Sequence, residues 1–416
     1  MNAMGVVTIG GSPRRSRLLS RRVSFWLVAA VSMTVAGASA APSPLYSVYQ
    51  AEYGFSEVTL TVIFAVYVLA LIMSLLTVGR LSDYIGRRPV IAGALAVEAG
   101  AMAVFVASNG VGWLIWARVV QGFATGAALG VLSAYLLDLQ PTDGSRLGSL
   151  INSVAPTFGL GLGAVATGLL VQYAPHPTRL VFAILMGLFV AFEILILVLP
   201  ETVPHIPGAT AALHPEVAVP HRARRAFVGA APTLVSTWAL GGLVLSVGGS
   251  LLGVVFGETN GAIVGLVIGL FPISAALAAT IAHDVSPPTM ARLGSAILAV
   301  GAGVFLLAVG LSSMALFVVA SIVSGSGFGP GFLGSLRAVS QLAEPDERAA
   351  LLSAVYVVSY LAFSVPAVVA GFAITHVGLR DTSFGYGGFV ALIAVATLVT
   401  ERVLIHRRRP SSQCHA

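Results

Sequence analysis

The chain has 416 residues, of which 57% are hydrophobic and 9% charged, with formal net charge +6 and mean hydropathy +0.95. Soluble domains carry about 25% charged residues, so this composition excludes an ordinary soluble fold. All 22 basic residues are arginine. Without lysine no Gly-x-x-x-x-Gly-Lys-Ser/Thr phosphate loop is possible, and the single cysteine, Cys414, excludes an intrachain disulfide or cysteine-based metal site.

Apolar runs of about 20 residues recur along the chain, each long enough to cross a hydrocarbon core roughly 30 Å thick. Backbone polar groups there need internal partners, which makes the spans helices. A lipid-facing β-barrel would show alternating segments of about ten residues instead. In chain order, residues 1–22 form a polar tail, and spans follow at 23–45, 58–79, 89–108, 113–138, 147–173, 180–199, 231–255, 261–282, 290–311, 314–340, 350–375 and 384–405. Pro42 and Pro44 weaken the end of the first span. Ser20-Arg21-Arg22, the apolar run after it and Ala38-Ser39-Ala40 also look like a cleavable export signal. Cleavage would leave eleven spans and spoil the even count.

Between the second and third spans lies Gly79-Arg80-Leu81-Ser82-Asp83-Tyr84-Ile85-Gly86-Arg87-Arg88-Pro89, a dense charged loop between two apolar runs. The third span carries Glu98 and the fourth carries Arg118, Gln121, Gly122 and Gly126 and ends at Asp138. The fifth carries Asn152 and the sixth Glu193. Residues 202–230 are polar, rich in Pro, His and Arg, and read as a cytoplasmic linker between an N-terminal bundle, 23–201, and a C-terminal bundle, 231–405, with a tail at 406–416. Trp238 falls in the seventh span, Tyr356 and Tyr360 in the eleventh. Pro156, Pro272, Pro330 and Pro366 lie inside spans as candidate hinges.

With both termini cytoplasmic, 19 arginines fall inside and only Arg179 and Arg380 outside, with Arg118 in a span. That is a positive-inside distribution. The basic charge therefore reports topology, because a nucleic-acid surface would gather these arginines on one face. The halves also repeat. Gly122 and Gly126 lead to Pro141, Asp143 and Arg146, as Gly325 and Gly329 lead to Pro345, Glu347 and Arg348. Repeated halves are a mark of secondary transporters, whose site lies at the repeat interface near midplane. The fold expected is an all-α membrane protein of twelve helices in two pseudo-symmetric six-helix bundles.

The loop Gly79–Pro89 matches the signature between helices two and three of the major facilitator superfamily, which the chain resembles over nearly its whole length. Arg118-Val119-Val120-Gln121-Gly122 is similar to that family's helix-four motif. Pro200-Glu201-Thr202 resembles a motif of drug-proton antiporters and sugar porters, and Ala155-Pro156-Thr157-Phe158-Gly159-Leu160-Gly161 a degraded antiporter motif. The second half departs from the pattern: His283-Asp284-Val285-Ser286-Pro287-Pro288 lacks the paired arginines. The resemblance implies a cytoplasmic latch built on Gly79, Asp83, Gly86, Arg87 and Arg88 with Asp138 as partner, holding the outward-open state.

Physical reasons accompany each residue. Gly79 and Gly86 permit close approach and a tight turn; Asp83 can accept from helix N-terminal amides; Arg87 can make a bidentate carboxylate pair. Arg118, an intramembrane charge, lines a cavity, binds an anionic group or modulates a proton site, with Gln121 on the same face; the bland alternative is snorkelling. Glu98 lies roughly 15 Å deep, where burial disfavours a bare carboxylate, and is the candidate proton carrier; a packed, protonated structural role is the alternative. Helix one holds no acid where many drug-proton antiporters carry one. Asn152, Trp238, Tyr356 and Tyr360 are cavity candidates suited to an amphipathic or moderately apolar ligand. No enzymatic constellation, metal site or cofactor is expected. The expected activity is secondary transport of small organic solutes, proton-coupled efflux first, with proton-coupled uptake or a non-transporting sensor on the same scaffold as alternatives. The expected setting is the plasma membrane, as a monomer, with protons, solute and lipid as the partners.

Overall fold

The computed structural model describes residues 19–140, 147–344 and 347–407, with side chains described up to 398 apart from that of 211. Pro141, Asp143, Arg146, Pro345 and Cys414 of the expectations above lie outside the described residues.

Twelve described helices are long and apolar enough to cross a membrane. In the first half these are α1 (Arg21–Ala40), α3 (Glu57–Val78), α5 (Arg87–Val106), α6 (Val111–Leu139), α7 (Leu147–Tyr173) and α8 (Pro177–Ile196). The second half comprises α9 (Arg224–Phe256), α10 (Gly261–Ile281), α11 (Pro287–Gly310), α12 (Met314–Ser340), α13 (Arg348–Val377) and α14 (Leu379–Arg407). Two short helices, α2 (Tyr46–Tyr53) and α4 (Ser82–Ile85), fall between spans.

Local chemistry sets these ends. Helix α1 stops at Ala40, ahead of Pro42 and Pro44, and the chain turns through 41–45 into α2. The predicted span 23–45 is thus a 20-residue helix plus a turn, because proline cannot donate to the helical ladder. Ser56, Asn260 and Ser313 cap α3, α10 and α12 by accepting from backbone amides within the first turn. Pro177 and Pro287 open α8 and α11, where a missing N–H is harmless. The linker is shorter than 202–230: α9 already begins at Arg224, since Arg, Ala and Phe are adequate helix formers and Ala223 and Phe227 pack into an apolar cluster with Leu351 and Val355. Pro156, Pro232, Pro272, Pro330 and Pro366 are accommodated inside helices.

The repeat seen in sequence is a repeat in packing. Helix α6 lies against α3, and α12 against α10. A β-carbon on Gly122 would meet Tyr67 O and one on Gly126 would meet Leu71 O, at 2.2 and 2.3 Å. In the second half, β-carbons on Gly325 and Gly329 would in the same way collide with Phe271 O and Ala275 O. Both pairs are small-xxx-small contacts that admit backbone approach in lipid, displaced by about 200 residues as in a two-fold repeat.

The halves meet through α7 on α10 and α3 on α13. Gly161 faces Gly269, Gly168 faces Gly261 and Gly265, and Thr61 faces Gly371. Phe64 packs on Phe363 with ring centroids 4.9 Å apart, and Ser250 bonds Gln50 at 3.4 Å. These approaches lie between the bundle's middle and the end opposite the Gly79–Pro89 loop. At the loop end, Leu277 and Ile281 of α10 are 53% and 86% exposed.

Candidate functional site

Three clusters gather most of the predicted residues. The first surrounds the charged loop. Gly86 has φ +95°, a backbone that favours glycine, and a β-carbon there would lie 2.6 Å from Glu201 Oε2. Gly79, by contrast, has φ −54° at the end of α3, so its backbone is ordinary; a β-carbon there would lie 2.5 Å from Leu75 O of the preceding turn. Arg87 Nη1 donates to Asp83 Oδ1 at 2.5 Å and to Ser82 Oγ at 2.6 Å, and Nε donates to Asp138 Oδ2 at 3.2 Å. Arg88 Nη2 donates to Leu197 O.

Asp83 does not take the helix-capping role expected of it, since its carboxylate is engaged by Arg87 four residues on. Glu201 caps α5 instead, accepting from Arg87 N at 2.8 Å and Arg88 N at 3.0 Å, where a carboxylate is favoured by the dipole. Thr202 Oγ1 donates to Asp138 Oδ2 at 2.8 Å, and Tyr135 Oη donates to Pro200 O. The Pro-Glu-Thr segment is therefore part of this cluster, which spacing alone did not reveal because over a hundred residues separate it from Arg87. Both carboxylates on Arg87 belong to the first half, so the pair braces that half internally and does not by itself span the seam.

A link to the second half runs through the linker. Glu216 pairs with Arg80 at 2.5 Å, pushing that guanidinium's pKa still higher. Ile206 N donates to Tyr84 O at 2.9 Å. Just beyond, Ala218 N donates to Ala350 O at 3.3 Å, and Arg222 pairs with Glu344 at 2.5 Å.

The second cluster is buried around Arg118, which is 1% exposed. Its Nε and Nη2 donate to Tyr46 Oη at 3.2 and 2.6 Å. Nη1 donates to Ser39 O at 3.0 Å and Gln121 Oε1 at 2.8 Å. Gln121 Nε2 donates to Ala38 O at 2.9 Å. The guanidinium also lies 5.0 Å from the Tyr67 ring centre, a cation–π distance. Arg118 and Gln121 thus supply donors to the last carbonyls of α1, left open where the prolines end that helix. Four of the five guanidinium N–H groups are committed within the first half, which leaves little of Arg118 for the anion-binding role expected of it. Nor does Arg118 pair with Glu98: the carboxylate lies within its electrostatic reach, yet Glu98 Oε1 accepts from Thr125 Oγ1 at 2.6 Å. Glu98 is fully buried and its Oε2 has no partner. Tyr67 Oη donates to Ser39 Oγ at 2.8 Å, and Tyr67 also neighbours Glu98 and Thr125. A line of hydroxyls, Thr125, Tyr67 and Ser39, therefore runs from Glu98 to the end of α1. Tyr46, Tyr67 and Thr125 went unmarked in sequence because isolated hydroxyl groups in apolar helices carry no spacing signal.

The third cluster is aromatic. Trp238 of α9 contacts Tyr360 and Phe363 of α13 and Phe328 and Phe332 of α12, with centroids 5.0 to 5.6 Å apart. Tyr356 stacks on Tyr360 at 6.1 Å. Tyr360 and Tyr67 lie within electrostatic reach across the seam, so the second and third clusters adjoin. Asn152 joins none of them: it is partly buried in the second turn of α7, one turn past Gly148, which packs on Gln140.

The profile of the Major Facilitator Superfamily matches residues 25–365. The chain is 36% identical over 130 residues to the tetracycline resistance protein, class C, of Escherichia coli, covering 30% of this chain and 32% of that protein. It is 31% identical over 144 residues to an uncharacterized transporter of Rickettsia bellii (strain RML369-C), covering 34% of this chain and 35% of that one. The match thus spans about a third of these curated relatives' length. Among solved structures, a bacterial homolog of the human lysosomal transporter Spinster, inward-facing and unoccupied, superposes with TM-score 0.73 at 12% identity, covering 93% of this chain and 98% of that one. The nucleoside transporter NupG superposes with TM-score 0.64 at 15% identity over 91% and 99%. Both likenesses concern the fold.

Proposed function

This chain belongs to the major facilitator superfamily, and we propose that within it the protein is a proton-coupled exporter of small organic solutes working by alternating access. Transport in the general sense follows from the family; direction, coupling and solute class are the proposal. The observation that carries it is Glu98, a fully buried carboxyl with one bonded and one unpartnered oxygen. A buried carboxylate without a paired charge is strongly disfavoured, so a proton belongs on it whenever the site is dry. Hydration of that site during the cycle would release it. The hydroxyls of Thr125, Tyr67 and Ser39 lead from Glu98 to the end of α1, which itself holds no acid. Outward direction is supported by the stretch similar to a tetracycline resistance protein.

The charged loop is taken as cytoplasmic, in a plasma membrane with both termini inside, and the chain as a monomer. On that orientation the contacts of Gly168 with Gly265 and Thr61 with Gly371 seal the outer end. The Arg87 cluster stiffens the first half, and residues 206–222 couple it to the second.

The test is counterflow in proteoliposomes of defined orientation, with and without an imposed pH gradient. Wild type accumulates solute against its gradient only when the pH gradient is present, and Glu98→Gln retains counterflow but loses that accumulation. Gradient-driven transport unchanged in Glu98→Gln would overturn the assignment of the proton to Glu98. Absence of movement of any solute tried would overturn transport itself.

A further inference from the structure

The aromatic cluster of the second half contains a polar group with nothing to bind. Trp238 presents its ring edge-on to Phe332, Tyr360 and Phe363, with interplanar angles of 81°, 67° and 80°. Its Nε1 is buried and makes no hydrogen bond. A buried donor left unmet is costly, and the tryptophan N–H usually finds a partner. The indole fills more of the box than a phenylalanine ring would, touching four rings, but nothing in that packing uses its donor. The phenols of Tyr356 and Tyr360 make no hydrogen bond to another described residue either, while Tyr386 of α14, equally deep in the half, donates to Ala239 O at 2.7 Å. Three unspent hydroxyl or N–H groups therefore surround one aromatic box.

The box is also free of charge. In the three helices that build it, the charged residues Arg224, Arg225, Arg337, Arg348 and His376 stand toward the helix ends. Trp238, Phe328, Phe332 and Tyr356 are only partly covered, and Phe363 reaches across to Phe64. The box thus borders the seam and has uncovered ring surface to offer.

The geometry points to a binding subsite for a planar, uncharged aromatic group bearing a hydrogen-bond acceptor on its edge, which stacks among these rings and accepts a hydrogen bond from Trp238 Nε1–H. Beside the rings, the box's own three helices offer a cation no carboxylate and an anion no arginine. The charges that adjoin the box through Tyr67 (Arg118 and Glu98) are buried in the first half, so neutrality is the selective feature. Edge-to-face and offset contacts are the arrangements such rings favour. This deepens the transporter reading by naming the chemical class that the seam accepts, and it rests on that reading only for the solute's passage through the seam.

The test needs no gradient. Equilibrium dialysis of the full chain in detergent, corrected for empty micelles, compares coumarin, a neutral planar ring system with a carbonyl acceptor, with naphthalene, which has none. Trp238→Phe should weaken coumarin binding roughly five- to tenfold, the worth of about one hydrogen bond, and weaken binding of naphthalene, which loses ring contact only, by clearly less. In a Trp26→Phe, Trp113→Phe, Trp116→Phe chain, whose substituted positions are all exposed, Trp238 is the remaining tryptophan and its fluorescence should be quenched saturably by coumarin. Equal binding of coumarin by wild type and Trp238→Phe, or no saturable quenching, overturns the subsite. Saturable binding of coumarin by a chain that moves no solute in vesicles would keep the subsite and remove the transporter reading; transport of other solutes without coumarin binding would do the reverse.

Discussion

Gly168 and Gly265 bring α7 and α10 into backbone contact: a β-carbon on Gly168 would lie 2.6 Å from the Cα of Gly265 and 2.5 Å from Gly261 O. No side chain fits there without separating the helices. Because α7 and α10 belong to different halves, this contact fixes how tightly the halves close at that end.

Gly168→Leu is therefore expected to prop that end open. In a Cys414→Ser background, spin labels on Tyr173→Cys and Thr259→Cys should report a longer distance in the variant, and transport should fall at least tenfold, about 1.4 kcal/mol. An unchanged label distance would mean that the glycine contact does not limit closure.

Arg87 and Asp138 should show a measurable coupling. The Arg87 side chain is 11% exposed and that of Asp138 33%, so the pair is better shielded than an open surface ion pair. A double-mutant cycle with Arg87→Ala and Asp138→Ala, read by thermal unfolding, should give a coupling of about 1 kcal/mol. Since both residues lie in one half, stability should change more than the distance between halves; the reverse pattern would show a latch across the seam.

Glu201→Ala should destabilise the first half by about 1–2 kcal/mol, as for loss of a helix cap, because two amides of α5 lose their acceptor. Glu201→Gln should recover part of that, keeping an acceptor but not the charge. Thermal unfolding of the three proteins checks the order.

Arg118→Lys should fail despite keeping the charge. The arginine fork reaches Tyr46 Oη, Ser39 O and Gln121 Oε1 together, a geometry that an ammonium cannot reproduce. Transport should drop at least tenfold and the melting temperature should fall, while Tyr46→Phe gives a smaller loss. A fully active Arg118→Lys would show that charge alone suffices.

The fold was largely legible because its signals are long-range in composition and short-range in sequence. Apolar length gave the twelve spans, Pro42 and Pro44 marked the end of α1, and the spacing of Gly122 and Gly126 against Gly325 and Gly329 carried the repeat. Side chains that share a segment were legible, as Arg118 with Gln121 and Tyr356 with Tyr360, and the pairing of Arg87 with Asp138, 51 residues on, came from the family resemblance. Glu201 at the α5 terminus, Tyr46 under Arg118 and the rings around Trp238 come from separate helices, and nothing in a linear pattern announces such meetings. Asp83 was misread for a related reason. Two acceptors compete for the same helix start, and the distant Glu201 holds it while the nearer Asp83 is drawn to Arg87.

The connection between halves has a tether's geometry. Glu216 is held by Arg80 of the first half, and two residues later Ala218 is held by Ala350 of the second. Two residues of extended chain reach only about 7 Å, so this ribbon has almost no slack. Any tilt that carries the start of α13 away from Arg80 must strip one set of its bonds. Cleavage of the ribbon by a protease should then speed up and slow down with the working cycle, making the segment a built-in gauge of which posture the molecule holds.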